Sequence, residues 1–200
     1  MTGREVSADV DVDVVTDMAL VDSVQTATIH LPVELIDIAE WLLNMPDAEY
    51  QRCAVPDHIA AGSSKTDDGR LMSINVEMIG GSLMVQHYVF EVRQPNHCNL
   101  VSLSDVQTPT GWSKARVVWD LSVSAIDGGS CRYTNRITSY ATRAFLRTLE
   151  DSGHSFERAA AVRQAATDDH NRRETPMYAA SLARRFRSDL HGAGANELPD

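Results

Sequence analysis

The chain has little cysteine, almost no lysine and few aromatic residues, and each scarcity narrows what it can be. Cysteine occurs three times in 200 residues, at positions 53, 98 and 131. An odd number, widely spaced and without a CxxC pair, gives no disulfide framework and no cysteine zinc site, and it implies a reducing, cytoplasmic setting. Basic residues total 18 against 28 acidic ones, so the positive footprint that nucleic-acid binding needs is missing. No apolar run is long enough for membrane insertion, and the first residues carry no apolar core of a signal peptide. GxSxG, HExxH and a phosphate-cradling glycine loop are all lacking, since IGGS (79–82) joins two alternating runs and does not lead from a strand into a helix. No metal, nucleotide or other cofactor is expected.

What remains is an ordinary globular composition, 43% hydrophobic and 23% charged, in a length suited to one domain. The net charge of −10 is concentrated at the ends. Residues 1–23 alternate Asp with Val and are expected to form a disordered acidic arm, because repeated carboxylates without partners resist folding. Residues 188–200 read as a loose tail, leaving 24–187 as the domain.

Within it, VQTATIHL (24–31) reads as a strand with Ala27, Ile29 and Leu31 on one face. Pro32 and Pro46 each open a short helix at a position where the missing N–H costs little. A nearly continuous antiparallel run follows. In SINVEMIGGSLMVQHYVFEV (73–92), Gly80-Gly81 marks a two-residue hairpin. If Ile79 opposes Ser82, then Met78 faces Leu83, Val76 faces Val85, Ile74 faces His87 and Met72 faces Val89. Period-2 geometry puts these on one apolar face, expected to be the inner one, with Glu77 and Tyr88 on the solvent side. In the last hairpin a three-residue loop, Asp127 to Gly129, opposes Trp119, Leu121 and Val123 to Ile137, Asn135 and Tyr133, and places Asp120 opposite Arg136. From 155 to 187 the pattern is helical, with Phe156, Ala159, Ala160, Ala166, His170 and Met177 as the inner stripe. Thr175-Pro176 either kinks this helix or restarts it, with Thr175 as N-cap.

The order strand, two short helices, antiparallel run and long helix resembles the helix-grip SRPBCC superfamily, which includes START domains, Bet v 1 and polyketide cyclases/aromatases. SINVEMIGGSLMVQHY and TNRITSYATRAFL carry the resemblance along with the element order. It implies an α+β fold, a curved antiparallel sheet of about seven strands around a C-terminal helix, with a cavity between them for a bulky apolar small molecule.

On that reading His87 is a candidate general acid or base, and Tyr133 and Asn135 are candidates to orient a carbonyl. Each also has a plain structural reading, as a hydrogen-bonded core residue. Met72, Ile74, Val76 and Val85 are expected to line the cavity from one hairpin, Trp119, Leu121 and Ile137 from the other, and Phe156, His170 and Met177 from the helix. His170 and Glu174 lie one helical turn apart, a spacing common in simple helix support, so with His87 they are not taken as a metal site. Three functions stay open. One is a cofactor-independent cyclase, aromatase or dehydratase, one a non-catalytic carrier of an apolar ligand, and one an interaction protein with a filled core. A homodimer is compatible with all three.

Overall fold

A computed structural model of the chain describes residues 14–193. Seven antiparallel strands form one curved sheet in the order β1-β7-β6-β5-β4-β3-β2. They are β1 (Val14–Ile29), β2 (His58–Lys65), β3 (Leu71–Ile79), β4 (Ser82–Gln94), β5 (His97–Thr108), β6 (Gly111–Asp127) and β7 (Ser130–Thr142). Two short helices, α1 (Ile38–Leu43) and α2 (Asp47–Cys53), separate the edge strands β1 and β2 in sequence. After β7 come α3 (Arg143–Ser152) and the long α4 (Phe156–Ala193), which packs across one face of the sheet. This is the arrangement the resemblance implies. No helix among the described residues is long and apolar enough to cross a membrane.

Both hairpin registers follow the sequence. Ile79 pairs with Ser82, Val76 with Val85 and Ile74 with His87. Trp119 pairs with Ile137, Leu121 with Asn135 and Asp120 with Arg136. Gly80 and Gly81 take φ values of +57° and +79°, which a side chain would strain. Gly80 has a second constraint, because a Cβ there would stand 2.6 Å from the Ala166 Cβ of α4. The hairpin tip therefore meets the helix backbone almost directly.

Three boundaries need correction. The first strand begins at Val14 and not at residue 24, so residues 14–23 are no disordered arm. Asp22, one of the carboxylates that look partnerless in sequence, has a partner on the neighbouring strand β7. Asp22 accepts from Arg136 Nε and Nη2 at 3.0 and 2.9 Å, and its backbone N–H donates to Gln164 Oε1 at 2.9 Å. Residues 1–13 lie outside the described chain. At the other end α4 continues through 188–193, and the rest of the expected tail, 194–200, is likewise outside the described residues. Finally, Pro32 opens only a single 3-10 turn, Val33–Leu35. The helix proper starts after Asp37, whose Oδ1 accepts from Glu40 N at 2.8 Å and caps it.

Pro176 neither stops nor restarts α4, which runs through it. Thr175 is not a cap, since its hydroxyl donates to Asn171 Oδ1 at 2.8 Å. The core beneath the helix is closed by Leu121, Tyr133, Tyr178 and Leu182, all fully buried, and by Trp41 of α1, whose Nε1 donates to Ser181 Oγ at 3.1 Å.

Candidate functional site

The hairpin β3–β4 has the expected register but the opposite face. Ser73, Asn75, Glu77 and Ile79 of β3, with Met84, Gln86 and Tyr88 of β4, are buried towards α4. Met72, Ile74, Val76 and Val85 are only half-buried on the far side of the sheet, and His87 there is exposed. These five residues do not line the cavity, and His87 is no candidate for its chemistry. The rule that the apolar face of a strand turns inward fails because the space behind this hairpin is polar. Its buried polar groups find each other: Tyr50 Oη–H donates to Glu77 Oε1 at 2.9 Å, Gln86 Nε2 donates to Tyr88 Oη at 2.9 Å, and Ser73 Oγ donates to Asn75 Oδ1 at 3.1 Å.

Between hairpin and helix lies a partly open chamber of about 40 Å³. Asn75, Glu77, Gln86, His170 and Glu174 form its polar wall, and Leu20, Val117, Trp119 and Ile137 its apolar one. A wider groove of about 240 Å³ adjoins it, lined by Leu149, Val162 and Ala159 among others. Val106, Phe145 and Arg163 belong to both linings. The two spaces thus meet at these three residues, an apolar vestibule beside a small polar chamber.

Of the residues expected here from sequence, Trp119, Ile137 and His170 line the chamber. Leu121 and Tyr133 are fully buried in the adjoining core, off the lining. Phe156 packs half-buried against the core at the start of α4, away from the chamber. Met177 is 40% exposed and points away, because Thr175 and Tyr178 take the inner positions of that turn. Asn135 is buried behind the chamber, where Oδ1 accepts from Trp119 Nε1 at 2.8 Å and Nδ2 donates to Glu174 Oε2 at 2.9 Å.

Glu174 is the hub of a buried cluster drawn from four elements. Its Oε1 stands 3.0 Å from His58 Nε2 and 3.6 Å from His170 Nε2. His170 Nε2 is also 3.6 Å from Glu77 Oε2. The far nitrogen of each histidine is engaged: His58 Nδ1 with the Tyr50 carbonyl at 2.6 Å, and His170 Nδ1 with Asp57 Oδ2 at 2.8 Å. A carbonyl only accepts, so His58 Nδ1 carries a proton, and the 3.0 Å contact to Glu174 needs another proton on one partner.

The electrostatics follow from this packing. Burial works against charge on His170, yet Glu174, Glu77 and Asp57 outweigh it and push the imidazolium up to about 10. Burial opposes the charge on His58 too, and Glu174 and Glu77 raise it nonetheless. Burial would raise Glu174, but the two histidines hold its carboxyl well below the usual range. Asp57, despite burial, is lowered by His170 and Arg173. Desolvation lifts the phenols of Tyr50, Tyr88 and Tyr178 well above their ordinary value.

Sequence reasoning missed Glu77 as an inward residue, and it missed His58, Asp57 and Tyr50 altogether. A signal for Glu77 existed. Ser73, Asn75, Glu77, Gln86 and Tyr88 form one unbroken polar face, and in a sheet that must cover a helix such a face marks either solvent or a polar cavity. Nothing local distinguishes His58, which enters the site only through the fold.

No protein-family model matches the chain, and no curated protein matches it in sequence. Solved structures do match. The Zhui aromatase/cyclase from a Streptomyces species aligns with TM-score 0.56 and 11% identity, over 86% of this chain and 97% of that one. The di-domain aromatase/cyclase StfQ of the steffimycin biosynthetic pathway aligns with TM-score 0.51 and 15% identity, over 88% of this chain and 54% of its own. BexL, another di-domain aromatase/cyclase, gives 0.50 and 10%, over 82% and 50%. The chain thus spans about half the length of each di-domain protein. At such identities the likeness concerns architecture, and the chain has the helix-grip, SRPBCC-like fold.

Proposed function

We propose that the protein binds a small molecule with an apolar body and a compact oxygen-bearing head, and moves protons on that head in the manner of a cyclase, aromatase or dehydratase. One observation carries this reading. Glu77, His170 and Glu174 are all buried, all ionisable and all on the wall of one chamber. A fold gains little from burying such groups, whose desolvation offsets much of their attraction, whereas a reaction site uses them. The Gln86 Oε1 atom, buried on the same wall without a hydrogen-bond partner, supports it further.

The chamber is too small for a bulky apolar ligand. By this measure of volume a water needs about 10–15 Å³, so about three fit. The apolar body therefore lies in the vestibule, past Phe145 and Arg163, and only the head enters. There the Glu77 carboxylate takes a proton from carbon next to a carbonyl, and the electron pair moves onto the carbonyl oxygen. His170 N–H stabilises that oxygen; the electron pair then returns to form a carbon–carbon double bond as the C–O bond of a hydroxyl on the next carbon breaks, and the proton held by Glu77 passes to that hydroxyl, releasing water. Asn135 and Trp119 act as positioning residues, holding Glu174 against the two histidines.

A second reading, a non-catalytic carrier with the same cavity, shares the vestibule and differs only in leaving the head unchanged. Native mass spectrometry of the purified protein, followed by solvent extraction, tests binding. A co-purifying amphiphilic molecule is the expected result. A ligand-free protein that also fails to take up benzoylacetone, a phenyl-substituted β-diketone, overturns both readings. Turnover lost in Glu77→Gln with binding retained separates enzyme from carrier.

A further inference from the structure

We infer that His58, His170 and Glu174 form a binding site for one divalent transition-metal ion of the zinc or iron(II) class, with Glu77 flanking its open side towards the chamber. The proposal goes beyond the acid–base reading and alters one part of it: with an ion bound, His170 Nε2 carries no proton, and the ion would replace the His170 N–H in stabilising the carbonyl oxygen.

Three independent features of the geometry support it. The first is convergence. His58 Nε2, His170 Nε2 and Glu174 Oε1 lie within 4.8 Å of one another, with two of the separations at 3.0 and 3.6 Å. Two donors each about 2.1 Å from one ion, 90–110° apart, lie about 3.0–3.4 Å from each other, so shifts of a few tenths of an ångström bring these two contacts to coordination distance.

The second is outer support. Metal-ligating histidines donate the other ring N–H to a carboxylate or a backbone carbonyl, which fixes the tautomer and the ring plane. Here His170 Nδ1 meets Asp57 Oδ2 at 2.8 Å and His58 Nδ1 meets the Tyr50 carbonyl at 2.6 Å. The carboxylates have the same support on their far oxygens. Glu174 Oε2 accepts from Asn135 Nδ2 at 2.9 Å, and Glu77 Oε1 accepts from Tyr50 Oη–H at 2.9 Å. Every far atom is tied, and every near atom points inward. Asp57 is itself braced by Arg173.

The third is incomplete pairing without an ion. His170 Nε2 is 3.6 Å from both Glu174 Oε1 and Glu77 Oε2, too long for a hydrogen bond to either. Three carboxylates, Asp57, Glu77 and Glu174, meet here, and one of them is paired with the guanidinium of Arg173. Arg163, on the same chamber wall, also acts electrostatically on Glu77, and the rest of the balance falls to protons on the histidines or to a cation in their place. Two imidazoles with carboxylate oxygen suit zinc and iron(II) better than magnesium or calcium.

The test is metal binding by the full chain after exhaustive treatment with a chelator and its removal. Zinc is titrated calorimetrically, and cobalt(II) serves as a spectroscopic probe whose visible bands report nitrogen and oxygen coordination. We expect one ion per chain, with His58→Ala and His170→Gln each weakening affinity by at least about a hundredfold and Asp57→Asn by about 10–100-fold. His87→Ala, on the outer face, leaves it unchanged. If a variant fails to fold by circular dichroism, the cobalt spectrum of the wild type still decides, because protein-derived bands at one equivalent are required. Absence of those bands, stoichiometric binding that persists without His58 and His170, or no binding tighter than about 100 μM overturns the proposal. Benzoylacetone uptake measured in chelator reports on the cavity alone, so failure of the metal site leaves the proposed function standing, and the reverse.

Discussion

Glu174 Oε1 and His58 Nε2 meet at 3.0 Å although 116 residues separate them in the chain. The contact joins the middle of α4 to the first residue of β2, an edge strand, and Asn135 of β7 holds the other oxygen of the same carboxylate. Together they pin the helix to the edge strand β2 and to β7, next to the opposite edge. Removing Glu174 takes the acceptor from the buried His58 imidazole, one of two acceptors from the Asn135 amide, and a neighbouring carboxylate charge from His170. Glu174→Ala is expected to cost about 3–5 kcal/mol in chemical denaturation, the usual penalty for stranding a buried charge partner. A loss below 1 kcal/mol would show that the cluster is not formed.

His87→Ala is expected to change stability by less than about 0.5 kcal/mol, as for an exposed residue away from special features, and to leave ligand uptake unchanged. Denaturation and benzoylacetone binding, measured on the same variant, check both.

The hairpin tip supplies an internal comparison. Gly80 and Gly81 share positive φ, but only Gly80 abuts Ala166. Gly81→Ala is expected to cost about 1–2 kcal/mol from backbone strain. Gly80→Ala should cost about 1–3 kcal/mol more, from overpacking against α4. Thermal or urea unfolding of the pair reads the difference, and equal losses would contradict the close approach.

Burial pushes the thiols of Cys53 and Cys98 up to about 12, and it raises that of Cys131 as well. All three cysteines are free and buried. At pH 8 the native protein should therefore react with a thiol-directed disulfide reagent far more slowly than the denatured chain, which should titrate all three.

Stability on the acid side should depend on Glu49. Burial alone would raise its carboxyl, but hydrogen bonds from Arg52, Ser181 and Arg184 bring it down to about 2 from an ordinary 4.5. A folded value below the unfolded one means that the contribution is fully present above about pH 4.5 and is lost as pH falls from there towards 2. Arg184→Ala should flatten this part of the stability–pH curve and leave the neutral region's slope unaltered.

Much of the fold was legible because antiparallel hairpins write their register locally. The register read from Gly80-Gly81 agrees pair by pair, and that of the last hairpin agrees from Ala125–Cys131 inward, although its turn is Gly128-Gly129 with Asp127 paired to Ser130 across a register shift and not a three-residue loop. Face is a different matter. Which side of β3–β4 turns inward depends on what the helix brings to meet it, and beside the expected His170 α4 brings Arg163 and Glu174, which the inner stripe read from sequence did not include. The same misjudgement removed His87, Met72, Ile74, Val76 and Val85 from the site and hid Glu77. On β6–β7 the facing groups are apolar or amide, so there the rule held. His58 was unreadable for a simpler reason: its partners, Tyr50, Glu77 and Glu174, lie on three other elements.

The central claim is that the polar inner face of the β3–β4 hairpin, and not its apolar outer face, receives the ligand. Calorimetric titration of benzoylacetone into chelator-treated wild type, Gln86→Leu and Val85→Thr tests it most directly. Gln86 lies on the chamber wall and Val85 on the opposite side of the same strand. The account predicts that Gln86→Leu changes affinity by about tenfold or more, the scale of one hydrogen bond to a ligand head, while Val85→Thr stays within about twofold. The reverse order, with Val85→Thr the damaging change, would contradict it.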